Sequence, residues 1–99
     1  MSEEIKIFNN EQRLHFETKL DDGEYGFIEY RWHKGALVLM HTSVPEKYEG
    51  KGIASALAKF ALDHARNKKL KLIVYCPYVR GYMKRHTEYD DLLLKEDDQ

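Results

Sequence analysis

Hydrophobic positions along the chain change period once, near its middle. In the first half they alternate with polar ones. Ile5-Lys6-Ile7-Phe8 alternates as a first strand, and Asn9-Asn10-Glu11-Gln12 has the composition of a turn. Leu14, Phe16 and Thr18 then share one face of a second strand, with Arg13, His15 and Glu17 on the other. Asp21-Asp22-Gly23 is hairpin-turn chemistry. An aromatic-rich third strand follows over residues 25–32, His33-Lys34-Gly35 turns the chain again, and 36–42 is a largely apolar fourth strand. Turns this short join antiparallel neighbours. The fourth strand is apolar on both faces, which predicts a central position in the sheet.

From residue 55 to 67 the period becomes helical. Ile53, Leu57, Phe60, Ala61 and His64 form one stripe, widened by Ala54, Ala58 and Leu62, so a helix lies on the sheet. Arg66, Lys68 and Lys69 at its end suit the negative pole of the helix dipole. Residues 70–76 read as a fifth strand, parallel to the fourth because a helix crosses between them. Pro77 closes that strand and opens a second helix over 78–86. The tail from Glu88 is acidic, with Leu92-Leu93-Leu94 expected to pack on the body. The predicted class is α+β: a mixed, mostly antiparallel five-stranded sheet with two helices, forming one domain over residues 1–99.

Composition narrows the function classes. A chain of 99 residues holds one core without needing a disulfide or metal to fold. Hydrophobic residues at 42% and charged ones at 33% describe an ordinary globular protein. Sixteen basic against seventeen acidic residues leave a net charge of −1, which gives no field to attract nucleic acid or an anionic membrane. The longest apolar run, residues 36–40, is far below the ~20 residues of a membrane span. Met1-Ser2-Glu3-Glu4 is acidic where a presequence is basic. One cysteine makes neither an internal disulfide nor a zinc knuckle, and His15, His33 and His64 have no metal spacing. The expectation is a cytoplasmic protein without a metal.

The candidate chemistry begins at Val44-Pro45-Glu46-Lys47-Tyr48-Glu49-Gly50-Lys51-Gly52-Ile53-Ala54-Ser55. Here a strand runs through a glycine-containing loop directly into a helix. Glycines allow positive φ and close backbone approach, and the first helical N–H groups attract an anion. Lys47 and Lys51 oppose the helix dipole unless phosphate stands between. The plainer alternative is a strand-to-helix turn with solvated lysines. A Walker loop is excluded because Gly52 is followed by Ile53, not by Lys-Ser or Lys-Thr. A dinucleotide fold is excluded by the antiparallel first half.

The segment Glu49-Gly50-Lys51-Gly52-Ile53-Ala54 resembles the phosphate loop of the GNAT superfamily of acyl-CoA-dependent N-acyltransferases, Gln/Arg-x-x-Gly-x-Gly/Ala. Gly52 and Ala54 match, whereas Glu49 stands where the pattern has Gln or Arg. Cys76-Pro77 after the fifth strand and His86-Thr87-Glu88-Tyr89 resemble a branch of very small stand-alone domains. The resemblance implies a GNAT-like fold and transfer of an acetyl group from acetyl-CoA to an amine acceptor. It implies that the amides of Gly50, Lys51, Gly52, Ile53, Ala54 and Ser55 hold the coenzyme A pyrophosphate. It also implies that Met40, His41, Thr42, Ser43 and Val44 pair with the pantetheine arm. Members of that superfamily usually carry two helices between strands one and two, flooring the acceptor site; residues 9–12 leave no room for them, so the acceptor side is expected to be open.

Three residues are catalytic candidates, each with a plainer alternative. Cys76 falls where the resemblance puts the thioester: its thiolate takes the acyl group, or it is a small buried apolar residue. Tyr82 falls where many relatives protonate the departing thiolate, yet Val79, Tyr82, Met83 and His86 also form a core stripe. His41 is a base near neutral pH, or is simply hydrogen-bonded in place. From a different class, a non-catalytic acyl-CoA-binding or interaction module accommodates the departure at Glu49 and the missing floor.

Overall fold

The computed structural model describes residues 5–95; the acidic start (residues 1–4) and the end of the acidic tail (96–99) lie outside the described residues. Its strands are β1 (Phe8–Asn10), β2 (His15–Lys19), β3 (Tyr25–His33), β4 (Ala36–Ser43) and β5 (Leu72–Val74), and its α-helices are α1 (Ile53–Lys68) and α2 (Pro77–Arg85). Short 3₁₀ segments span Glu46–Tyr48 and Thr87–Leu92. The sheet runs β1-β2-β3-β4-β5, antiparallel throughout except for the parallel β4–β5 pair. This is the expected mixed α+β architecture. Only residues 11–14 join β1 to β2, so no helices stand between them. Among the described residues no helix is long and apolar enough to cross a membrane.

Three local expectations need correction. The first strand lies three residues later than Ile5–Lys6–Ile7–Phe8 suggests, and Asn9 and Asn10 belong to it. Turn propensity loses there to tertiary hydrogen bonds: Tyr30 Oη donates to Asn9 Oδ1 at 2.6 Å, and Asn10 Nδ2 donates to Glu17 Oε2 at 3.1 Å. Leu14 leaves the strand face with φ of 59°, and its carbonyl accepts from the Tyr30 N–H at 2.9 Å. β4 has a strand on each side but lies next to the edge strand β5, not at the centre. Its apolar stretch Ala36-Leu37-Val38-Leu39 is nevertheless buried on both faces.

α1 begins at Ile53 and buries Leu57, Ala58, Ala61, Leu62 and Ala65, leaving Phe60 and His64 at the margin beside Phe16. Small alanines in that stripe let the helix approach β2, β3 and β4 closely. Fully burying a leucine such as Leu57 or Leu62 contributes about 1.5–3 kcal/mol. α2 packs Val79, Tyr82 and Met83 into the same core. Both helices therefore cover one sheet face, and among the described residues no α-helix lies on the opposite face. The C-terminal segment closes over α1: Tyr89 Oη donates to Asp63 Oδ1 at 2.6 Å, and Arg66 reaches Asp91 at 2.8 Å. Leu92 is buried there, and the Leu94 N–H donates to the Leu72 carbonyl at 2.8 Å.

Candidate active site

The site starts where β4 and β5 part. Their ladder ends at Leu39 opposite Val74, and the Leu39 carbonyl accepts both the Tyr75 N–H (2.9 Å) and the Cys76 N–H (3.2 Å). β4 continues to Ser43 while the other chain turns away into α2. At the same level the β3–β4 register slips, because Tyr30 pairs with Leu39 and Glu29 with His41. Met40 is thus the extra residue of a β-bulge, a device that bends a strand. Met40, His41, Thr42 and Ser43 are left without a β5 partner on that side.

The loop after β4 reaches α1 through two left-handed glycines, Gly50 and Gly52, each with φ of 83°. A Cβ at either would meet nothing within 4 Å, so backbone conformation, not crowding, favours glycine. Gly52 is the N-cap of α1 and offers no side-chain cap. The first intrahelical bond runs from the Ala56 N–H to the Gly52 carbonyl at 3.0 Å, leaving the N–H groups of Ile53, Ala54 and Ser55 without helical partners. Gly26 of β3 permits this placement, since a Cβ there would stand 3.2 Å from Ile53 Cγ2.

These pieces enclose a cleft of about 620 Å³. It is lined by Thr42, Ser43 and Val44 from β4, by Gly50, Gly52, Ile53, Ala54 and Ser55, and by Tyr48, Glu49 and Tyr78. Most of the expected cofactor residues are therefore brought together. Met40 and His41 lie outside the lining, on the bulge and the opposite face. Lys51 turns to a neighbouring cavity of about 710 Å³ with Lys6 and Lys19. Lys47 pairs instead with Asp22, and lies 3.6 Å from Glu24. The Asp22 N–H also donates to Tyr48 Oη at 3.1 Å, so hairpin and loop are clasped together. The hydrogen bond from Lys47 holds the Asp22 carboxyl down to about 2.

Cys76 is the N-cap of α2 and is 1% exposed. Its Sγ lies 3.0 Å from Thr42 Oγ1. Arg80 does not reach the sulfur; its Nε donates to the Val74 carbonyl at 3.0 Å. Tyr82 sits in the α1–α2 contact, with its ring stacked on His86 at 4.1 Å. Burial pushes its hydroxyl above the usual tyrosine range. Tyr82 is not among the cleft residues; Tyr78, one turn earlier and 37% exposed, is. Sequence reading missed Tyr78, although its place directly after Pro77 puts it in the first turn of α2, beside the loop. His41 faces the uncovered side of the sheet, where its Nδ1 lies 3.1 Å from Glu29 Oε1.

The donor set fits an anion joined to a long neutral arm. Free amides of a helix N-terminus meet the anion, the start of a second helix stands beside them, and unpaired strand groups continue along β4. Glu49 is the one opposing charge on the lining. Among the described residues no group of three or more His, Cys, Asp or Glu could hold a metal ion.

A parallel strand pair that parts at a bulge, with a glycine turn opening a helix at the gap, agrees with the N-acyltransferase type of domain that the loop sequence resembles. The comparisons agree: the family described as GCN5-related N-acetyl-transferase matches residues 15–92, and the chain belongs to that family. Protein NATD1 of Mus musculus is 34% identical over 84 residues, covering 83% of this chain and 76% of that protein. The Danio rerio NATD1 is 30% identical over 98 residues, covering 95% and 89%. The NMR solution structure of a GCN5-like protein from Staphylococcus aureus superposes with a TM-score of 0.69 at 25% identity, covering 91% of this chain and 88% of that one.

Proposed function

We propose that the protein transfers an acetyl group from acetyl-CoA to an amine acceptor. The observation that carries this reading is the cleft, which joins the free amides of Ile53, Ala54 and Ser55 to the unpaired end of β4. In this reading the backbone amides from Gly50 to Ser55 hold the pyrophosphate, while the Lys51 side chain turns away from it. The backbone of Met40, His41, Thr42, Ser43 and Val44 holds the pantetheine arm. The donor supplies an activated thioester; the chain orients it and handles protons. Cys76, with Thr42 on its sulfur, stands at the parting and either takes the acetyl group as a thioester or packs there while the amine attacks directly. Tyr82, or Tyr78 nearer the cleft, supplies a proton to the departing sulfur, and His41 takes one from the amine. The uncovered sheet face suits a peptide or protein amine, or a loosely held small one. The same reading puts the protein in the cytoplasm, where its single thiol stays reduced.

A panel of amines and peptides scored for thiol release from acetyl-CoA tests the proposal, with turnover expected for at least one class. A second reading, a non-catalytic acyl-CoA-binding module, is favoured by the burial of Cys76 and by Glu49 on the cleft lining. It requires coenzyme A binding with no turnover on any acceptor.

A further inference from the structure

The sheet face turned away from both helices carries a row of side chains that the cleft does not use. Phe27 of β3 stands between two imidazoles. His15 of β2 stacks on its ring with centroids 4.1 Å apart, and His41 of β4 meets it edge-on at 5.9 Å. Each imidazole faces a carboxylate: His15 Nδ1 lies 3.4 Å from Glu17 Oε1, and His41 Nδ1 lies 3.1 Å from Glu29 Oε1. Glu29 is held in turn by the Arg31 guanidinium on its other oxygen. The two pairs differ in reach, because the His41 side chain is 55% exposed and that of His15 only 18%.

We infer that Glu29 is a positioning residue for His41, and that His41 presents Nε2 as the base for the acceptor amine on this uncovered face. The inference rests on the transferase reading above. A carboxylate accepts hydrogen bonds and donates none, so Glu29 keeps the proton of the neutral ring on Nδ1 and leaves the Nε2 lone pair bare. Phe27 limits the ring's rotation from the other side. His41 directly follows the bulged Met40, where β4 parts from β5, and it faces the side opposite Thr42 and the cleft. The inference requires a thioester seated in that gap, with donor and acceptor approaching it from opposite faces. The amine nitrogen forms a bond to the acyl carbon, the carbon–sulfur bond breaks, and the sulfur leaves with the electron pair as a thiolate. The proton shed by the nitrogen goes to His41 Nε2. The charged and titratable groups around His41 are Glu29 and Arg31 of β3, with His15 and Glu17 of β2 beyond Phe27.

The test pairs ring nitrogen-15 spectra with steady-state kinetics on the parent, Glu29→Gln, Glu29→Asp and His41→Gln, all first checked for coenzyme A binding by thermal shift. Neutral His41 is expected as the Nδ1–H form in the parent, with the Nε2–H form gaining in Glu29→Gln. His41→Gln is expected to lose about 10²-fold in kcat and the acid limb of the pH profile. Glu29→Gln lowers kcat with the KM for amine little changed, and Glu29→Asp restores part of it. An Nε2–H ring in the parent, or a Glu29→Gln variant with parental kcat and pH profile, overturns the inference. Coenzyme A binding with no thiol release from any amine overturns the transferase reading and the base role with it. The ring spectra then still report whether Glu29 orients His41.

Discussion

Thr42 Oγ1 lies 3.0 Å from Cys76 Sγ, and this contact spans the gap where β4 and β5 part. It joins the cleft wall to the first residue of the α2 cap. If the sulfur is a nucleophile, incubation with acetyl-CoA alone adds one acetyl group to Cys76, seen as a mass increase that hydroxylamine removes. Cys76→Ser then loses the adduct and most turnover while still binding coenzyme A, since one oxygen for one sulfur barely disturbs packing. A serine variant with normal turnover and an unchanged melting curve assigns Cys76 to packing. Thr42→Val is expected to cost about 1 kcal/mol, the worth of one hydrogen bond, in urea unfolding.

Gly52 carries the loop. Coenzyme A is expected to stabilise the parent by about 2.7 kcal/mol at a hundredfold excess over its dissociation constant. Gly52→Asp adds a carboxylate where backbone amides face the cleft, and places a side chain at φ of 83°. That variant is expected to lose the coenzyme-dependent shift and to melt lower on its own, by roughly 1–2 kcal/mol of left-handed strain. Equal coenzyme-dependent shifts in parent and variant would remove the loop from the cofactor site.

The clasp between Asp22 and Lys47 gives a pH dependence with a definite sign. Folding depresses the Asp22 carboxyl from 3.8 to about 2. A depressed carboxylate stabilises the fold above its unfolded value, and that contribution disappears as pH falls through the folded one. The parent is therefore expected to lose loop order and coenzyme A affinity between about pH 4 and pH 2. Asp22→Asn, with no charge to lose, changes less over that window and binds more weakly at neutral pH. Thermal melts with and without coenzyme A at several acid pH values measure both effects.

The strand-and-helix order was legible because each element follows from near neighbours: hairpin turns, a change of period, and Pro77. Misplacements came where distant groups decide. Asn9 and Asn10 look like a turn until Tyr30 and Glu17 supply partners. Lys47 looks like a phosphate ligand until Asp22, on a hairpin 25 positions earlier, takes its charge. The glycine loop was legible since left-handed backbone writes itself into residue type. The Glu29–His41 pair was not, because a one-residue bulge at Met40 sets which residues face each other across β3 and β4.

Tyr78 and Tyr82 are one helical turn apart on α2 and have separable roles. Tyr78 lines the cleft, whereas Tyr82 lies buried against α1 with its hydroxyl held above the ordinary range by that burial. A proton donor to a departing sulfur must reach the cleft, so Tyr78→Phe is expected to lower kcat with little change in melting temperature. Tyr82→Phe keeps the ring and its stacking on His86 and is expected to retain turnover. Tyr82→Ala removes a buried ring and is expected to cost about 3–5 kcal/mol in stability. If Tyr82→Phe instead loses turnover while Tyr78→Phe keeps it, with both melting like the parent, the buried tyrosine is the acid. The α1–α2 contact must then open during each cycle.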